Sequence, residues 1–115
     1  MEQLNRIELR GVVGTAKTQV LSGNKMCRFS VATSRAYKDK DGIAVIDTTW
    51  HNVIAWDSER TKELSVIKAG SKIYVCGRLH TQKYTGQDGV ERTSFEVVAN
   101  KLNIIETDEP LQYEM

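Results

Sequence analysis

A chain of 115 residues, 40% apolar and 27% charged with a single proline, has the length and balance of one folded domain, too short for two cores and too apolar for a disordered polymer. The formal net charge of +1 conceals an asymmetry: residues 106–115, ETDEPLQYEM, carry four of the 15 acids and no Lys or Arg, so residues 1–105 hold all 16 basic residues against 11 acids, a formal +5. A basic body of this size suits a polyanionic partner. The opening MEQLNRIELRGVVG alternates charged and apolar residues without a continuous apolar run, which predicts neither a signal peptide nor a membrane span, and hence a cytoplasmic protein.

In chain order, the first strand is expected in RIELRGVVG, where Ile7 and Leu9 alternate with Arg6, Glu8 and Arg10. KMCRFSVAT follows, with Cys27, Phe29 and Val31 on one face. The third run, TTWHNVIAW, holds both tryptophans of a chain with only eight aromatic residues. Period-two alternation puts Thr48, Trp50, Asn52, Ile54 and Trp56 on one face and Thr49, His51, Val53 and Ala55 on the other. Val53 and Ala55 suit a packed interior. The tryptophan face is then either a second buried surface or a binding surface.

DSERTKELSVIKAG comes next. Asp57 or Ser58 can cap a first turn, Leu64 and Ile67 form an inward face, and Gly70 can end it, which predicts one short helix. The fourth strand, SKIYVCGRL, places Ile73, Val75 and Leu79 on one face; the fifth, in RTSFEVVANKLNII, has Phe95, Val97 and Ala99 in phase and then runs apolar to Ile105. SGNK, DKDG and GQDG set Gly beside Asn or Asp in polar stretches, so residues 15–24, 37–47 and 80–91 read as long hairpin loops. The order strand, strand, strand, helix, strand, strand is that of the OB-fold. This is an all-β, five-stranded Greek-key barrel with one short helix between strands 3 and 4, whose strand face and loops commonly bind oligonucleotides. Residues 1–105 are expected to form that domain and 106–115 a short acidic tail.

Two more aromatics bear on function. Tyr37 follows the second strand with Lys38 and Lys40 beside it, and Tyr84 follows the fourth with Lys83 beside it. A tyrosine flanked by lysines has no structural duty in a hairpin loop, whereas a base needs a flat ring to stack on and its phosphate a nearby cation. Two indoles on one strand face and two tyrosines on adjoining loops would make a discontinuous stacking track for a flexible strand.

NRIELRGVVG, FSVATSRAYKDKDG, TTWHNVIAW, KAGSKIYVCGRLHTQKY and ERTSFEVVA together resemble the blocks of the bacterial single-stranded DNA-binding proteins, in order and with compatible spacing over about residues 5–105. The resemblance implies an OB barrel assembled as a homotetramer around which single-stranded DNA wraps, serving replication, recombination and repair. It marks Tyr37, Trp50, Trp56 and Tyr84 as stacking residues and Lys38, Lys40 and Lys83 as phosphate contacts; Arg35, Lys72 and Arg92 are counted with the phosphate contacts. It also assigns Arg6, Glu8, Arg10 and His51 to a subunit interface. Tyr37 and Tyr84 stand where members often have tryptophan, and EPLQYEM differs from the long linker and acidic tip that recruit replication and repair proteins in the family, so that recruitment stays an open expectation.

No cofactor, metal or catalytic residue is expected. DKDG does not continue into a calcium loop, because Trp50 or Asn52 stands where the bidentate Glu would be, and His51 and His80 lie 29 residues apart with neither cysteine in ligand spacing. Cys27 and Cys76 form no CxxC pair and read as reduced thiols. Neither a phosphate-cradling glycine loop nor a nucleophile elbow is present. A primosomal-type OB-fold adaptor is the alternative, marked by a dimer and by protein partners on the strand face; an OB-fold nuclease would need clustered carboxylates.

Overall fold

The computed structural model describes residues 1–58 and 64–114. Among them five strands, β1 (Ile7–Leu21), β2 (Asn24–Lys38), β3 (Ala44–Trp56), β4 (Lys72–Thr85) and β5 (Glu91–Ile104), close into a barrel in the order β1-β2-β3-β5-β4. All neighbours are antiparallel except β3 and β5, which pair in parallel over only Val53–Val97 and Ile54–Val98. This is the expected OB-fold. The helix expected over 57–70 lies partly outside the described residues; within them the segment between β3 and β4 contains only a 3-10 turn, Leu64–Val66, with Leu64 and Ile67 buried as its apolar spacing requires.

The three expected loops are mostly strand. β1 and β2 stay paired out to Leu21–Asn24, β2 and β3 to Lys38–Ala44, and β4 and β5 to Thr85–Glu91. Only the tips turn. Ser22 and Gly23, at φ 52° and 79°, form a two-residue turn with both φ values positive. At the other two tips an aspartate side chain organises the turn: Asp39 Oδ1 accepts from the backbone N–H of Asp41 and Ile43, each at 2.9 Å, and Asp88 Oδ1 from that of Val90 at 3.1 Å. These ribbons extend past the barrel, and the radius of gyration of 16.3 Å exceeds the roughly 13 Å of a compact domain of this length.

Inside the barrel, the alternation read from the sequence holds as far as closure lasts. Leu9, Val13, Cys27, Phe29, Val31, Val53, Ala55, Ile73, Val75, Val97, Ala99 and Leu102 form one buried cluster with Leu64 and Ile67. Two irregularities keep it continuous. On β1, the register steps from Val13–Val31 to Ala16–Phe29, and on β5 from Gly77–Ala99 to Cys76–Lys101, so inward positions change from odd (97, 99) to even (102, 104). Each bulge bends its strand round the barrel. Phe95 and Leu79, expected to join this interior, do not: both stay in phase with it but are exposed, because β3 pairs with β5 only at Val53 and Ile54 and, among the described residues, no strand closes the barrel over them.

Candidate nucleic-acid interface

The β3 face carrying Trp50, Asn52, Ile54 and Trp56 divides along its length. Ile54 is 5% exposed and its neighbour Met26 fully buried, whereas Trp50 and Trp56 are 61% and 40% exposed. The face is therefore covered at Ile54 and open at Asn52 and the two indoles. Trp50 lies opposite Ala32 on β2, and its six-membered ring reaches across to β1, where it rests on Gly14. Any side chain at Gly14 would collide with that ring, so a glycine at the β1 bulge seats the indole. Ser30, between them, accepts the Thr15 N–H at 3.0 Å and pairs with its hydroxyl at 3.1 Å, which pins the bulge.

The two tyrosines sit on ribbons rather than in loops. Tyr84, on β4 opposite Arg92, is exposed and shares the outward phase of the sheet with Trp50 and Trp56. Tyr37, opposite Val45, is exposed on the other phase, since β2 and β3 pair without a bulge and positions 32 and 37 differ in parity. Three rings thus share one face and the fourth lies round the ribbon. The Arg35 guanidinium stacks over Tyr37 at 4.9 Å from the ring centroid.

Among the expected cations, Lys38, Lys40 and Lys83 are exposed near the two tyrosines, Lys83 with Glu91 at 3.8 Å. Arg92 is bridged to Asp88 in its own turn. Lys72 stands apart: its ammonium donates to the carbonyls of Thr107 and Glu109, the latter bond at 2.5 Å, and so anchors the chain after β5.

The four expected interface residues lie elsewhere. Glu8 bridges Arg6 at 2.8 Å and accepts from the Tyr74 hydroxyl at 2.9 Å, and Arg10 lies 5.9 Å from the Tyr74 ring. These contacts raise the pKa of Tyr74, chiefly through its hydrogen bond to Glu8, and that of the Arg6 guanidinium through the Glu8 charge. His51 is half-buried with Nε2 2.9 Å from the Thr33 hydroxyl, and burial lowers its pKa. Residues 109–114 cross this region: the Glu114 N–H donates to Ser34 O and the Ala36 N–H to Glu114 O, adding a parallel bridge at Arg35 to the free edge of β2. The short acidic tail is thus, as far as Glu114, a segment docked on the barrel.

Among the described residues no cluster of His, Cys, Asp or Glu could hold a metal ion, and no helix is long and apolar enough to cross a membrane. Residues 4–105 match the family model of the single-strand binding protein family. The chain belongs to that family. It is 35% identical over 104 residues to a single-stranded DNA-binding protein of Neisseria meningitidis, covering 89% of this chain and 60% of the relative, and 37% identical over 106 residues to that of Xanthomonas axonopodis pv. citri, covering 89% and 58%. The chain thus spans about 60% of the length of these curated relatives. Among solved structures it superposes on the Plasmodium falciparum SSB in complex with ssDNA with a TM-score of 0.79 at 29% identity, covering 94% of this chain and 98% of that one. The small single-stranded DNA-binding protein of Streptomyces coelicolor shares the fold, with a TM-score of 0.68 at 23% identity over 91% and 96% of the two chains.

Proposed function

We propose that this chain binds single-stranded DNA without strong sequence preference, as a non-enzymatic, cytoplasmic protein of replication, recombination and repair. The observation that carries the reading is the pair of open indoles, Trp50 and Trp56, on one strand face of the barrel, beside ribbons bearing Tyr37 and Tyr84. Indole surface left exposed on a folded protein forgoes part of the burial that usually justifies the residue, and stacking against a base would cover it. Every base has an apolar, polarisable face, so stacking tolerates sequence. Arg35, Lys38, Lys40, Lys83 and Arg92 supply cations for the phosphates between stacked bases. Lys72, held by carbonyls, is the weakest of the six. A strand running from the Trp50 face to Tyr37 must pass round the β2–β3 ribbon, which suits wrapping rather than lying straight. Homotetramer assembly through the surface of Arg6, Glu8, Arg10 and His51 belongs to the same reading.

Titration with oligo(dT) tests it. Stacking on Trp50 and Trp56 should quench most of the intrinsic tryptophan fluorescence, and Trp50→Ala and Trp56→Ala should each cost about 1 to 3 kcal/mol of binding. Unchanged affinity in both folded variants would return the indoles to a packing role.

A further inference from the structure

The aromatic face continues into an open cleft of about 410 Å3 that none of the expected binding residues lines. It opens where β3 parts from β5 beyond Val53–Val97, between the β1–β2–β3 side of the barrel and the β4–β5 ribbon. Phe95 stands in it, 59% exposed, with Asn52, Gln82 and Ser94 around it and Lys17 and Arg28 on the opposite wall. Asn52 belongs to the same strand face as Trp50, and Thr15 and Ser30, whose hydrogen bonds pin the β1 bulge beside the Trp50 ring, line the cleft as well.

We infer that this cleft is a further nucleobase site, with Phe95 as its stacking ring; the inference rests on the single-strand reading above. A single exposed phenylalanine is ordinary on a protein surface. This one, however, lies in a groove also lined by the carboxamides of Asn52 and Gln82 and the hydroxyls of Thr15, Ser30 and Ser94, the side chains that meet any base edge as donor or acceptor. The walls supply cations for the adjoining phosphate. Glu96 fixes one of them: its carboxylate is 3.3 Å from Arg28 and 3.5 Å from His80. The Arg28 pairing ties the β2 wall to β5 and leaves Lys17 as the cleft cation without a carboxylate beside it in the lining, Glu96 being the one acid there. A base leaving the Trp50 indole would enter past Asn52 and Ser30, so the two rings serve consecutive parts of one path.

The test places a reporter at the ring. In a chain carrying Trp50→Phe and Trp56→Phe, which keeps rings at both positions, Phe95→Trp makes residue 95 the only tryptophan, and saturating oligo(dT) should quench it. In the otherwise natural chain, followed by Trp50 and Trp56 fluorescence, Phe95→Ala and Phe95→Leu should both raise Kd about fivefold or more, the equivalent of ~1 kcal/mol for one stacked base. Leucine keeps apolar bulk and loses the ring. Thermal melts check that each variant is folded. Native affinity in Phe95→Leu, or a change in mass by light scattering with unchanged Kd, would make Phe95 a packing or subunit residue and overturn the inference. Failure of oligo(dT) to quench the natural chain would instead sink the single-strand reading itself.

Discussion

Trp50 and His51 are adjacent and face opposite ways, and the contrast separates the two surfaces of β3. The Trp50 side chain lies out on Gly14; the His51 ring turns to the tail side, half-buried against Thr33. Burial disfavours the charged imidazolium, so the folded protein holds a proton on His51 less readily than the unfolded chain, whose value is near 6.5. The unfolded state then binds more protons, and stability rises with pH across the interval between the two values. The contribution of His51 is complete above about pH 6.5 and declines as acidification proceeds from there toward the lower folded value. Thermal melts between pH 7.5 and 5 should show a steeper loss for the natural chain than for His51→Gln, which can still reach Thr33 and does not titrate. Parallel curves would mean that the ring is protonated as easily folded as unfolded.

At the scale of elements, β1 belongs to two partners in turn. Its first half pairs with β4 from Ile7–Gly77 to Val12–Lys72 and its second half with β2 from Val12–Ala32 onward. On the side away from β4, residues 7–11 pair with no strand among the described residues, although residues 109–114 lie nearby, and an edge of this kind can take a second strand. Should two copies pair there antiparallel about Leu9, Glu8 of one would meet Arg10 of the other. Glu8 already bridges Arg6 and Tyr74 within its own chain, so Glu8→Arg puts two like charges side by side as well as across the contact. An exposed pair is worth only about 0 to 1 kcal/mol, so the melting temperature should move little, while light scattering over a dilution series should show dissociation at higher concentration than in the natural chain. Identical masses at every dilution would exclude this register.

At the scale of the whole molecule, the acidic tail lies against the basic body. Lys72 holds the chain at Thr107 and Glu109, and Glu114 adds to the β2 edge beside Arg35, on the side of Tyr37. Four acids are thereby kept near the body, against which its formal charge of +5 acts. A chain ending at Ile105 should bind single strands more tightly at low salt, and the difference should shrink as ionic strength screens the attraction of tail to body. Both chains should show a negative log-log dependence on salt of about 0.7 per phosphate contacted. Superimposed isotherms at low salt would leave the docked tail without influence on binding.

Strand number, order and the division of β3 into a Val53–Ala55 face and a tryptophan face were legible in the residues, because burial on one side imposes a period of two and Gly with Asn or Asp marks each turn. The tips at Ser22–Gly23, Asp39–Gly42 and Gly86–Gly89 fell where their chemistry put them. Strand length was not legible: a two-stranded ribbon outside the barrel is wet on both faces, so residues 15–21, 80–85 and their partners lack the alternation that reveals a strand. Phe95 failed for the converse reason. Its spacing from Val97 is that of a core residue, but only the parting of β3 from β5 leaves it in a cleft. That Tyr37 lies round the ribbon from Trp50, and that the tail pairs with Ser34 and Ala36, also depends on register and on contacts between residues some 80 positions apart. Local pattern determines which side of a strand is dry; which rings then share a surface is decided when the barrel closes.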